Sequence, residues 1–176
     1  LKYRVDPATN YTTVAMSYRG AGLYSANIPG QAAGTRVAFF IETRDGAAVG
    51  ATSRFPSDAP TRECLVGFGE STPSGSFTAY RLWVSQQNVN RWAAREKQSN
   101  HPLDATFVYG SSRVCYNVGT LYSGSPWHTP GYNSPAGNLC DYEVNFAKDD
   151  LLLGANDFVL ATVGNLNSDP SYQGEQ

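Results

Sequence analysis

The stretch RVAFFIETRDG, residues 36–46, decides the fold class of this chain. Val37, Phe39 and Ile41 recur at every second position, which is the side-chain period of a β-strand with two different faces. The stretch ends in Asp45-Gly46, a dipeptide typical of tight hairpin turns. It therefore predicts one long strand that closes in a turn.

Shorter strands with turn residues between them are predicted on both sides of this strand. Residues 13–18 and 24–28 alternate in the same way, the second run stopping at Pro29-Gly30, and residues 63–68 form another apolar run. Short strands at this spacing favour a β-sandwich over residues 1–69.

A second module is predicted after the polar stretch ESTPSGS, residues 70–76, which has the composition of a linker. In residues 77–176 one helix is expected from 86 to 97, capped by Ser85, with an apolar face of Val89, Trp92 and Ala93. The strands expected there are 80–84, 106–109, 113–118, 141–146 and 158–163. The predicted fold is mainly β: a sandwich followed by a β-rich α+β module with one helix.

Composition excludes several classes of protein. Charged residues make up 16% of the chain and the net charge is −2, with no basic stripe, which disfavours nucleic-acid binding. No apolar run approaches the roughly 18 residues that a membrane span needs. The chain opens on Leu1, and its only methionine is Met16, so we expect a processed or cut piece of a longer protein.

The three cysteines, Cys64, Cys115 and Cys140, form no CxxC pair. We favour the interpretation that all three are buried thiols. One disulfide between Cys115 and Cys140 is the alternative. A zinc site is not expected.

The remaining candidate ligands have ordinary explanations. His101 and His128 have no Cys or carboxylate cluster at ligand spacing around them. Asp149-Asp150 could attract a divalent cation, but turn chemistry explains the pair equally well. No metal site is predicted.

Two stretches are similar to known families. Residues 22–47, GLYSANIPGQAAGTRVAFFIETRDGA, resemble the immunoglobulin-like and fibronectin type III modules of large secreted bacterial proteins. This resemblance, together with the low charge, implies a secreted or cell-surface location.

The second resemblance is to the spore-coat protein H (CotH) kinase-like family. It is carried by FVYGSSRVCYNVGTLYSGSPWH, residues 107–128, and CDYEVNFAKDDLLLGANDFVL, residues 140–160. It implies that residues 77–176 are the N-terminal lobe of an atypical protein kinase, with Ser123, Gly124 and Ser125 in a nucleotide-facing loop. The complete protein would use ATP and Mg²⁺ and would act on a secreted or surface protein, with the rest of the kinase-like domain as partner.

The chain departs from the family at two points. Leu139 and Cys140 stand where the family has paired lysines, and a kinase N-lobe needs a strand lysine to hold the phosphates. No motif for the metal-binding and catalytic groups of the second lobe is present in the sequence. We therefore expect no catalytic residue and no activity in this chain alone.

A non-enzymatic function is the alternative. Aromatic residues cluster in the hairpin region and the loop that follows it, and exposed rings can stack on sugars. Trp127 and Tyr132 are the candidate stacking residues. On this interpretation the chain is a surface adhesion or carbohydrate-binding module with a glycan as partner.

Overall fold

The computed structural model describes residues 1–47, 50–71, 78–96, 99–111, 113–123 and 141–160. Within these ranges the chain is mainly β, with antiparallel strand pairs and one helix. This confirms the predicted mainly β class. By compactness the chain divides into unit 1, Leu1–Ser85 with Ala105–Asn117, and unit 2, Gln86–Asp104 with Val118–Gln176.

The first sheet and a separate hairpin belong to unit 1. Their strands are β1 (Lys2–Val5), β2 (Thr12–Thr13), β3 (Ser17–Gly20), β4 (Leu23–Ser25), β5 (Arg36–Arg44), β6 (Thr52–Phe55) and β7 (Cys64–Gly67). The sheet order is β2-β1-β5-β6, with β7 also paired to β5, while β3 and β4 pair in a two-stranded sheet. All these pairs are antiparallel.

The long strand predicted from residues 36–46 is β5, and it is the centre of the first sheet. Val37 and Ala38 are fully buried and Phe40 nearly so, because β1 and β7 both pair with this half of the strand. Its outer half, from Ile41, pairs with β6. The strand ends at Arg44 as expected, but β6 begins at Thr52, so the connection of residues 45–51 is longer than the tight turn predicted from Asp45-Gly46. The amide of Asp45 donates to the carbonyl of Ala51 across it.

The second sheet has the order β12-β11-β10-β9-β8. Its strands are β8 (Tyr80–Trp83), β9 (Leu103–Tyr109), β10 (Arg113–Ser123), β11 (Asp141–Asn145) and β12 (Asp157–Leu160). The strands β9 and β10 each have residues in both units. The strand β10 extends five residues beyond the predicted 113–118, since Val118 to Tyr122 are also buried or paired with β11.

The helix α1 (Gln86–Ala94) begins after Ser85 as expected and buries Asn88 and Trp92. The predicted apolar face is only partly right, because Ala93 is exposed. Asn88 occupies a buried position because its amide donates to the carbonyl of Asp104 at 3.0 Å. A satisfied polar group of this kind is invisible to hydrophobic periodicity.

The domain boundaries predicted at 69 and 77 stay a prediction, and compactness divides the chain elsewhere. Of the predicted linker, Glu70 and Ser71 lie in the described ranges. No helix within those ranges has the length and apolar character to cross a membrane.

Candidate functional site

A groove in unit 1 lies between the β3–β4 hairpin, residues 13–16 and the outer half of β5. Its volume is about 700 Å³, and an adjoining cavity has about 590 Å³. Both are lined by Leu1, Met16, Tyr24 and Ile41. Ligand sites are usually concave and mostly apolar, with a few polar groups that set orientation. This groove has that character.

The β3–β4 hairpin is shaped by its turn. Gly20 and Gly22 have φ of 99° and 78°, in the left-handed region where glycine carries no steric cost, and Ala21 between them has φ of 49°. The register is irregular between Tyr18 and Gly20, as expected where an extra residue bends a strand. This turn returns the chain so that Tyr24 lines the groove.

Two tyrosine rings are exposed on this hairpin. Tyr18 and Tyr24 pair across the strands with centroids 5.2 Å apart and an interplanar angle of 53°. They remain 60% and 55% exposed, and Leu23 beside them is 63% exposed. The Nε of Arg19 donates to the Oγ of Ser25 at 2.8 Å, a second cross-strand contact. The hairpin therefore exposes two aromatic rings that are not buried in the core.

Charged side chains form the rim of the groove on β1 and β5. The carboxylate of Glu42 accepts from the Nε of Arg54 at 2.8 Å and lies 3.0 Å from the Nζ of Lys2. The hydrogen bonds from Arg54 and then Lys2 lower the pKa of Glu42. Glu42 is therefore already neutralised by two cations.

Arg44 is the remaining cation of this rim. Among the described residues, none forms a hydrogen bond or an ion pair with its guanidinium. A Cβ placed on Gly50 would lie 2.7 Å from its Nε and Nη2, so the guanidinium lies against the backbone of Gly50. Arg44 can therefore face an anionic group of a ligand at this edge.

A second charged cluster in unit 1 is buried and structural. Arg4 and Glu63 are 6% and 5% exposed, and they form a bidentate pair with Nε–Oε1 and Nη2–Oε2 distances of 2.7 and 2.5 Å. The Nη1 of Arg4 also donates to Asp6 and to the carbonyl of Ala8, and the Tyr11 hydroxyl donates to Glu63. These bonds join β1 to the residue that precedes β7.

The pKa values in this cluster follow from burial and pairing. Burial alone would lower the pKa of Arg4, but its hydrogen bonds to Glu63 and attraction to that carboxylate outweigh burial and raise it. Burial, and then the hydrogen bond to Glu63, raises the pKa of Tyr11 to about 12. Arg4 therefore stays charged and the Tyr11 hydroxyl keeps its proton, so the hydrogen bonds of this cluster are preserved.

Glu70, predicted to lie in a linker, is held by three partners in unit 1. Its carboxylate accepts from Arg36, from the Nε of Arg81 at 3.0 Å and from the Nε1 of Trp83 at 3.2 Å. The guanidinium of Arg36 also lies 5.2 Å from the centre of the Trp83 ring. The start of the predicted linker is therefore attached to β5 and β8.

In unit 2 the strand aromatics serve packing. Trp92 of α1 lies 4.8 Å from the ring of Tyr122 and 5.6 Å from that of Tyr142, with the guanidinium of Arg95 at 5.4 Å. Trp92 and Tyr122 are buried. Burial of these large rings fixes the helix on β10 and β11, so we assign them no ligand.

The predicted nucleotide-facing residues are described only in part. Ser123 is half-buried at the end of β10, where it pairs in register with Asp141 at the start of β11. Gly124, Ser125 and the stacking candidates Trp127 and Tyr132 lie outside the described residues, as do Leu139 and Cys140.

The described residues around Ser123 do not fit a triphosphate. The stretch of β10 in unit 2 carries no lysine or arginine, and neither do β11 and β12. Asp141 and Glu143 add negative charge at this strand end instead. Hydrogen bonds to phosphate from a charged donor are stronger than those from a neutral donor, and these strand segments supply no charged donor.

Other candidate ligands from the sequence do not converge. His101 is exposed, and Asp149 and Asp150 lie in a turn closed by the amide of Asp150 and the carbonyl of Ala147. In the described ranges no group of three or more His, Cys, Asp or Glu could hold a metal ion. Cys64 and Cys115 are fully buried thiols; Cys140 and His128 lie outside the described residues.

The sequence interpretation missed the groove. One signal was present: SYRGAGLYS, residues 17–25, places a tyrosine on each side of a Gly-Ala-Gly turn, which predicts two rings facing each other across a hairpin. Arg44 carried no signal, since one arginine at a strand end is ordinary. Searches of family models, curated proteins and solved structures found no match to this chain.

Proposed function

We propose that this chain is part of a secreted or surface-exposed bacterial protein of the CotH-like group, in which residues 1–69 form an immunoglobulin or fibronectin type III-like sandwich. Residues 77–176 would then be the N-lobe region of an atypical, kinase-like domain that acts on a secreted or surface protein. The chain contributes scaffold and no catalytic residue of its own.

One observation supports this proposal beyond the sequence resemblance. Strand β10 ends at Ser123 and β11 begins at Asp141, and these two residues face each other on adjacent antiparallel strands. In protein kinases the loop that covers the phosphates also connects two strands of the N-lobe sheet. The predicted Gly-Ser residues follow Ser123 in a stretch of sequence that connects two neighbouring strands, which supports the proposed lobe.

The experiment restores the charge that the family has and this chain lacks. Cys140→Lys is titrated with Mg-ATP by calorimetry beside the unsubstituted chain. A hydrogen bond to a charged group contributes about 1.5–3 kcal/mol, so we expect ATP to bind about 10- to 100-fold more tightly. Asn100→Lys, which adds the same charge at an exposed position of unit 2, is the matched control and should change nothing. Equal affinities for all three proteins would contradict the kinase-like proposal.

A second function is favoured by the groove in unit 1: non-enzymatic binding of a glycan at a cell surface. The observation that carries it is the exposed ring of Tyr24 at the edge of an apolar groove. Sugar rings pack their C–H faces on aromatic rings that are exposed in this way. A titration with soluble oligosaccharides, comparing the unsubstituted chain with Tyr24→Ala, tests it, and unchanged binding in the variant would exclude the groove as the site.

A further inference from the structure

We infer that the groove of unit 1 binds an acidic polysaccharide through a uronate residue, whose ring lies against Tyr24 and whose carboxylate faces Arg44. The inference rests on the second proposed function, glycan binding at this groove, and specifies the chemical class of the glycan.

The ring contact comes from the tyrosine pair. Tyr24 is packed against Tyr18 on one side, which limits its rotation before any ligand arrives. A side chain that is ordered in advance loses less conformational freedom on binding. Tyr24 is still 55% exposed, so the remaining surface of its ring is available to a sugar face.

The preference for an acidic ligand follows from which charged side chains on the rim of the groove form ion pairs with one another. Lys2 and Arg54 are both engaged by Glu42, and Arg44 lines the same groove with no anionic partner among the described residues. A guanidinium recognises a carboxylate with two parallel hydrogen bonds. Arg44 is thus a side-chain cation of the groove lining with no carboxylate partner among the described residues, and its guanidinium has the geometry that a carboxylate fits.

The shape of the site favours a chain of sugars over a single small acid. The groove continues into the adjoining cavity through Leu1, Met16, Tyr24 and Ile41. Consecutive residues of one ligand can therefore lie along it, with the apolar lining against ring faces. A uronate residue carries a ring and a carboxylate in one unit, which matches an aromatic side chain and an arginine on one groove.

The experiment is a calorimetric titration of the whole chain with three soluble probes of similar length. They are an oligogalacturonate, a neutral maltooligosaccharide and an oligoglutamate peptide. Arg44→Gln and Tyr24→Ala test the two contacts. Their matched controls are Arg91→Gln, an exposed arginine of α1 outside the groove lining, and Tyr80→Ala, a tyrosine of almost equal exposure at 53% that stacks on Tyr109 and Phe107.

We expect the oligogalacturonate to bind, Arg44→Gln to weaken it about 10- to 100-fold, and Tyr24→Ala to weaken it about 2- to 10-fold. Both controls should bind as the unsubstituted chain does. Equal affinity for the neutral oligosaccharide overturns the inference and leaves glycan binding standing. Equal affinity for the oligoglutamate, or no binding of any probe, overturns both.

Discussion

Removing the charge of Glu63 should destabilise the chain more than removing any exposed carboxylate. In Glu63→Gln the side chain keeps its size and one oxygen, but the buried guanidinium of Arg4 loses its bidentate anionic partner. Breaking a buried ion pair from one side costs about 3–5 kcal/mol. Arg4 keeps Asp6 at 2.9 Å and the carbonyl of Ala8 at 2.8 Å, so we expect the lower end, about 3 kcal/mol.

Thermal and urea unfolding followed by circular dichroism measure this loss. A destabilisation of about 3 kcal/mol lowers the Tm of a chain of this length by roughly 6–12 °C. The matched control is Glu42→Gln, which removes a carboxylate that also has two cationic partners but is far more exposed to solvent, and its Tm should change much less.

The double variant Arg4→Met with Glu63→Leu, measured beside the single variants Arg4→Met and Glu63→Leu, tests the buried pair as a unit. Replacing both members of a buried pair by apolar residues is often neutral, so the double variant should be more stable than either single change. The reasoning is refuted if Glu63→Gln unfolds at the same temperature as Glu42→Gln, because the buried pair would then contribute no more than a surface pair.

Two further predictions concern the same unit. Burial and the hydrogen bond to Glu63 raise the pKa of Tyr11 from 10 to about 12, so the folded state holds this proton more tightly than the unfolded state does. The stabilisation that this proton provides is fully present below pH 10 and is lost between about pH 10 and 12. Tyr11→Phe should lose that part of the alkaline decline, seen as a smaller difference in urea midpoint between pH 9 and pH 11. Gly69 has φ of 65°, and a Cβ there would lie 2.5 Å from the Cβ of Ala33, so Gly69→Ala should cost about 2–4 kcal/mol from left-handed strain and overpacking. Gly30→Ala, where nothing lies within 4 Å, is its control, and equal urea midpoints for the two would contradict the steric account.

The sequence predicts those elements whose apolar residues repeat with a period. The strand β5 and the start of α1 were predicted because Val37, Phe39 and Trp92 stand in clear patterns. The strand β1 was missed because Arg4 occupies a buried position, and its partner Glu63 is 59 residues away. No local pattern can reveal a pair at that separation.

The candidate site was harder to predict than the fold for a related reason. The residues around the groove come from separate segments of the chain. Ile41 and Tyr24 belong to alternating runs, but alternation within a run does not show that two runs line one groove. Tyr24 and Arg44 are ordinary in their own segments and become informative only because the chain brings them to one groove. The CotH-like resemblance of residues 77–176, which is carried by residues 107–128 and 140–160, stays a prediction.

The two buried cysteine thiols of unit 1 can be used to measure local opening of the strands that carry them. Cys64 on β7 and Cys115 on β10 are fully buried, so an alkylating reagent can reach them only when those strands separate from their neighbours. In a Cys140→Ser background, the rate of labelling at each thiol, read by mass spectrometry of peptides, gives the free energy of local opening at two strands. Labelling at one rate would mean that the two strands open together, and labelling at two rates would identify the weaker strand without any substitution in the core.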